Sequence, residues 1–175
     1  ISVEGMIEAI KTFQGVQRRF QVIGDVGGIK VIDDYAHHPT EIRATLRAAR
    51  SCNPRKIYAI FQPHRYTRTQ FLAKEFGTAF AEADEVIITS IYSAGEKTIN
   101  GVSSALIIDS VQKNGKKVVF IEKKEDIADY IVNEVIPGDY ILTIGAGDIS
   151  DTAYSIVDKL KTCSKEVIGN IPEVN

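Results

Sequence analysis

The chain has 175 residues, 44% of them hydrophobic, and its 21 basic and 23 acidic side chains leave a net charge of −2. That is apolar material for one well-packed domain and too little for two, and the near balance of charge excludes a nucleic-acid groove or bulk attachment to an anionic membrane. No apolar run approaches the roughly 20 residues that cross a bilayer, no secretory signal is visible, and Cys52 and Cys163 lack the spacing of a zinc or redox motif, so a cytoplasmic, reducing compartment is expected.

Residues 2–13 place Met6, Ile7, Ile10 and Phe13 on one helical face. Twelve residues with nothing of their own to pack on read as the tail of something earlier, and a chain that opens on Ile1 rather than Met reads as a processed form or a piece of a longer polypeptide. RRFQVIGDVGGIKVIDDY then reads as two β-branched segments around a glycine-rich turn, the composition of a hairpin. Arg18 and Arg19 precede its first strand, where alternation sends one inward and one outward.

A rhythm follows. Apolar runs at 56–61, 85–90, 117–121 and 140–145 lack internal alternation, as expected of strands buried on both faces. Helical patterns lie between them at about 40–51, 66–82, 102–114, 124–134 and 149–161. This alternation predicts an α/β fold, a Rossmann-like, doubly wound and mainly parallel sheet, with the first hairpin strand as an antiparallel edge. Pro39 suits a first helical position with Glu41 in the first turn, and Glu125 and Asp126 open the helix after IEKK.

In such sheets ligands bind outside the carboxyl ends of the strands. DDYAHHP, QPHRYTR, SIYSAGE and GAGD all fall there, and these loops contain all 3 histidines of the chain. Arg65 and Arg68, three apart at a helix opening, share a face and suit a carboxylate or phosphate beside free backbone N–H groups. Adjacent residues of an extended loop point opposite ways, so one of His37 and His38 faces the cleft while the other caps or packs; Asp33 and Asp34 divide similarly. Gly145 and Gly147 in GAGDIS form a possible anion loop or a plain turn, with Ser150 in place of the third glycine of a dinucleotide motif. Tyr92 and Glu96 sit in a long loop that either closes over the rim or only connects. A zinc hydrolase using His37, His64 and Asp34 is open by ligand type, although no spacing enforces it, and no metal site is expected. GxxxxGK[ST] occurs nowhere, so other groups would have to hold the phosphates of any ATP.

FQGVQRRF (13–20), DDYAHHPTEIRATLRAAR (33–50), FQPHRYTRT (61–69), YSAGE (92–96) and GAGDI (145–149), in this order, resemble the C-terminal domain of the Mur ligases, and DDYAHHPTE with FQPHRYTRT resembles its alanine-adding branch. The likeness runs from about Ile1 to Lys161. It implies an ATP-dependent amide ligase of peptidoglycan synthesis: Mg-ATP phosphorylates the carboxylate of UDP-N-acetylmuramate, and the amino group of L-alanine attacks the acyl phosphate. It also implies a catalytic group of Arg19, Asp34 and His37, with Arg19 and Asp34 at the nucleotide. Tyr35, His37, His64, Arg65 and Arg68 would surround the alanine.

By the same likeness, residues 1–13 are the end of a central domain or a linker helix, 14–163 the C-terminal domain, and 164–175 a frayed tail. ATP and Mg2+ would be bound mainly by the missing central domain, and the nucleotide sugar also by a missing N-terminal domain, so this chain alone is expected to be inactive. The alternative is a stand-alone nucleotide-binding regulatory module that uses GAGD for phosphate.

Overall fold

The computed structural model describes residues 2–12 and 16–169. One six-stranded sheet is built from β1 Gln21–Val26, β2 Ile29–Asp34, β3 Ile57–Phe61, β4 Glu85–Ile88, β5 Val118–Phe120 and β6 Tyr140–Ile144. The helices are α1 Val3–Thr12, α2 Pro39–Ser51, α3 Tyr66–Phe76, α4 Ala105–Lys113, α5 Ile127–Ile131 and α6 Ser150–Gly169. The strand order is β1-β2-β6-β3-β4-β5, with β1 antiparallel to β2 at one edge and every other pairing parallel. The predicted doubly wound sheet and antiparallel edge are both present.

The continuous apolar runs have the cause expected of them. In β3 every residue is buried, and the two-residue period sends Ile57, Ala59 and Phe61 to one face and Tyr58 and Ile60 to the other. The first face is covered by α2, α3 and α4, where Phe61 meets Phe76 and Phe80 at ring-centroid distances of 5.3 and 5.4 Å. The second is covered by α5 and α6 through Ile127, Ile131, Ile149, Ala153 and Ile156. Each fully buried Ile contributes on the order of 1.5–3 kcal/mol, so both layers are firmly attached.

Helix ends differ from the predicted ones where tertiary contacts intervene. The helix expected over 66–82 runs only to Phe76; Gly77 caps it against α4, where a Cβ would stand 2.4 Å from Ser110 Oγ. α4 begins at Ala105, not 102, after buried Ser104 donates to the Thr89 carbonyl. Glu125 and Asp126 form a 3-10 turn, Lys124–Asp126, before the short α5. α6 continues to Gly169, so part of the expected tail is helical. Met6 and Ile7 of α1 are exposed; Phe13, expected on the same face, and residues 170–175 lie outside the described residues.

Insertion of β6 between β2 and β3 positions the site. The chain leaves β2 and β3 toward the α2–α3 face, while it leaves β6 toward the α6 face. Neighbouring loops therefore part at the carboxyl rim on both sides of β6, which opens a crevice there.

Candidate active site

The loop after β2 divides its histidines as alternation requires. His38 is the N-cap of α2: its Nδ1 accepts from Thr40 N at 3.3 Å, and Glu41 Oε2 accepts from the backbone N–H groups of His37 and His38 at 2.9 and 3.1 Å. Pro39 occupies the first turn as predicted. Burial pushes the Glu41 carboxyl up, but these backbone donors and the nearby His37 and Arg19 outweigh it and hold the pKa below the usual carboxylate value. His37 turns to the rim instead. Its Nδ1 lies 3.0 Å from the Tyr35 carbonyl, which can only accept, so Nδ1 is the donor in that contact.

Across the crevice, the loop after β3 presents His64, its ring centroid 5.7 Å from that of His37. Arg68 donates to His64 Nδ1 at 2.9 Å and to the His64 carbonyl at 3.2 Å. Nδ1 must then be the acceptor and Nε2 the N–H, the reverse of the donor role that Nδ1 has in His37. Burial, followed by the charges of Arg68, His37 and Arg65, pushes the His64 pKa down to about 4, so the ring is neutral near pH 7. Tyr92 stacks on its other side at 5.6 Å and 17°. Tyr35 meets His37 edge-on at 5.5 Å, completing a row of rings from the loop after β2 to the loop after β4.

Arg65 and Arg68 do project at the opening of α3, but the helix end between them is already engaged. Arg65 is the N-cap residue at φ 73° and makes no side-chain cap. Glu96, from the loop after β4, does so in its place. Its Oε2 accepts from Thr67 N at 3.1 Å and its Oε1 from Thr67 Oγ1 at 2.7 Å, while Arg65 lies 3.9 Å away. These Thr67 hydrogen bonds hold the Glu96 carboxyl below its usual pKa. The N–H groups expected to be free for a ligand are thus partly taken, and the arginines are what remains for an anion. Arg68 is half-buried, and burial and then the charge of Arg65 lower its pKa. That is an electrostatic demand which a carboxylate would meet.

The loop after β4 is no mere connector. Tyr92 N donates to the Pro63 carbonyl and Arg65 N to the Tyr92 carbonyl, both at 2.8 Å, and Tyr92 presses on the turn after β6. Gly147 is required for that approach, since a Cβ would stand 2.6 Å from Tyr92 Cγ. Tyr92, Gln62 and Asp148 also line an open cleft of about 510 Å³ that extends to Lys124.

The turn before β1 and the strand end of β2 engage two further groups that the sequence singled out. Asp34, expected at the nucleotide, is 5% exposed, and its oxygens accept from Phe20 N and Ala36 N at 2.8 Å each. These contacts shape the loop. The GAGD turn, a possible anion loop, directs carbonyls at a cation: Arg18 donates to Gly145 O at 2.6 Å and Gly147 O at 3.1 Å, and Gly145 N is spent on the Asp34 carbonyl. Arg18 is the inward arginine of the pair and Arg19 the exposed one. Sequence reasoning gave no role to Arg18 or Gln62 and none but lid or connector to Glu96. Its only signal was their place inside the RRF, FQPHR and YSAGE stretches. Among the described residues no group of three or more His, Cys, Asp or Glu side chains gathers for a metal ion, so His37, His64 and Asp34 do not form the zinc set considered above. Nor is any helix of the described residues long and apolar enough to cross a membrane.

The sequence profile described as "Mur ligase, glutamate ligase domain" matches residues 18–147. The chain is 52% identical over 166 residues to the UDP-N-acetylmuramate–L-alanine ligase of Pelotomaculum thermopropionicum, covering 94% of this chain and 36% of that protein. Against the enzyme of the same name from Desulforamulus reducens it is 46% identical over 162 residues, 92% of this chain and 35% of the other. The solved structure of the UDP-N-acetylmuramate–alanine ligase of Thermotoga maritima matches with a TM-score of 0.77 at 34% identity, over 93% of this chain and 34% of that one. The chain therefore spans about a third of the length of the curated relatives it matches.

Proposed function

This chain belongs to the Mur ligase family, and on that premise we propose that it is the amino-acid-recruiting C-terminal domain of a longer ATP-dependent ligase joining L-alanine to UDP-N-acetylmuramate. The observation that carries the reading is the convergence of His37, His64, Arg65, Arg68 and Tyr92 on one crevice, opposite a family whose relatives are named for alanine addition. Residues 14–163 are this domain, and residues 1–13 its connection to the rest of the polypeptide.

In this reading Arg65 and Arg68 bind the alanine carboxylate, which places its amino group toward the histidine pair beside Tyr35. With Nδ1 spent as a donor to the Tyr35 carbonyl, His37 would take a proton from that group at Nε2, and neutral His64 adds no cation to repel it. The amine then attacks the carbonyl carbon of the acyl phosphate, the C–N bond forms, and phosphate leaves. Arg19 faces the phosphates of the nucleotide. Asp34 serves the site by fixing the loop that carries Tyr35 and His37. By the family likeness, ATP and Mg2+ are held mainly by domains outside this chain, which also bind the nucleotide sugar. Closing the domains would exclude water from the acyl phosphate.

Release of ADP by the full polypeptide, assayed with UDP-N-acetylmuramate in the presence and absence of L-alanine, tests the reading. Alanine-dependent turnover supports it; turnover indifferent to alanine overturns it. A stand-alone nucleotide module would instead show tight ATP binding by this chain alone, which the carbonyl-lined GAGD turn disfavours.

A further inference from the structure

The turn before β1 contains two residues in the left-handed region, Arg18 at φ 57° and Phe20 at φ 47°, one on each side of Arg19. Non-glycine residues persist there only where the surroundings over-determine them. The surroundings here are unusually complete. Arg18 N donates to Gln21 Oε1 at 2.8 Å, Tyr35 N to the Arg18 carbonyl at 2.7 Å, and Phe20 N to Asp34 Oδ2 at 2.8 Å. The Arg18 side chain donates from Nε to Asp33 Oδ2 at 2.9 Å and from its terminal nitrogens to the Gly145 and Gly147 carbonyls. Asp33 is 1% exposed, and its other oxygen accepts from Thr143 Oγ1 at 2.7 Å, so this anchor is itself fixed.

We propose that Arg18 is a positioning residue which, with Asp33 and Asp34, brackets Arg19 and holds its guanidinium at the rim. Both arginines lie over the Tyr35 ring, at 5.0 Å for Arg18 and 5.7 Å for Arg19. Only the first is tied into the sheet, so Arg18 carries the load and leaves Arg19 exposed for an anion. The same fork joins the turn before β1 to the turn after β6 across the crevice, so the position of Arg19 follows that of Gly145–Gly147. This rests on the reading of Arg19 as the group that meets the nucleotide phosphates.

The test is a double-mutant cycle in the full-length ligase that contains this domain, measuring kcat/KM for ATP and KM for L-alanine. Arg18→Met is expected to lower kcat/KM for ATP roughly tenfold, leave KM for alanine within about twofold, and cost almost nothing further when Arg19 is already alanine. An equal loss in both backgrounds, or a loss confined to thermal stability, overturns the positioning role. If Arg19→Ala alone leaves kcat/KM for ATP unchanged, the reading of Arg19 fails, and the proposal falls with it. Should Arg18→Met not fold, Arg18→Lys is read in the same cycle. Lysine keeps the charge beside Asp33 and lacks the fork that spans both carbonyls, so it is expected to recover part of the loss.

Discussion

Arg68 donates a hydrogen bond to His64 Nδ1 at 2.9 Å, so a permanent cation occupies the nitrogen that a charged imidazole would need for its own proton. The pair is a lock on the protonation state of His64. Its ring stays neutral down to about pH 4 in the folded chain, whereas the unfolded ring takes up a proton near its ordinary value of 6.5.

Between those values the unfolded state binds more protons, so folding stability rises with pH over that window and is lost as pH falls from 6.5 toward 4. The slope from this one group is at most about 1.4 kcal/mol per pH unit; solvent screening of the half-buried ring reduces it. Urea titrations at a series of pH values check this. His64→Asn, which retains an acceptor for Arg68, is expected to flatten the window, and an unchanged slope would contradict the lock.

Arg65→Ala and Arg68→Ala, made separately in the full-length ligase, are expected to raise KM for L-alanine about thirtyfold, the equivalent of roughly 2 kcal/mol for a lost guanidinium–carboxylate contact. KM for ATP should stay near its original value. Steady-state kinetics with each substrate varied in turn decide it, and an unaltered KM for alanine would remove both arginines from the alanine site.

Glu96 reaches α3 from another loop, so its effects divide by chemistry. Glu96→Gln keeps an acceptor for Thr67 and should lower the melting temperature less than Glu96→Ala, which leaves the N-terminus of α3 uncapped. Both remove the charge beside Arg65. Thermal unfolding of the two variants, compared side by side, gives the ranking; equal melting temperatures would argue against the cap.

Gly147→Ala tests how closely the rim is packed. The new Cβ would meet Tyr92 Cγ at 2.6 Å and Gln62 Oε1 at 2.5 Å, so Tyr92 must leave its stack on His64. Overpacking of this kind costs about 1–3 kcal/mol. Chemical denaturation measures it, and a cost near zero would mean that the loop after β4 yields freely.

Local sequence determined what depends on local geometry. Unalternating apolar runs separated by helical patterns made the doubly wound sheet, because a strand covered on both faces is mainly apolar at both period-two positions. Pro39 and the following Glu41 marked a helix start, and the opposite directions of adjacent side chains separated His37 from His38. The resemblance carried by DDYAHHPTE and FQPHRYTRT named the family that the comparisons bear out.

Tertiary structure decided the rest. Alternation required one of Arg18 and Arg19 to turn inward, but the choice was made by left-handed backbone at residues 18 and 20, held by Asp33, Asp34 and a turn more than a hundred residues away in the chain. Asp34 meets a backbone donor of the turn before β1 because β1 pairs with β2, and Glu96 caps α3 because β4 lies beside β3 and brings their following loops together. Side-chain periodicity specifies which face a residue takes within its own element. Which partner it meets there depends on strand order, and that is set by the packing of the whole sheet.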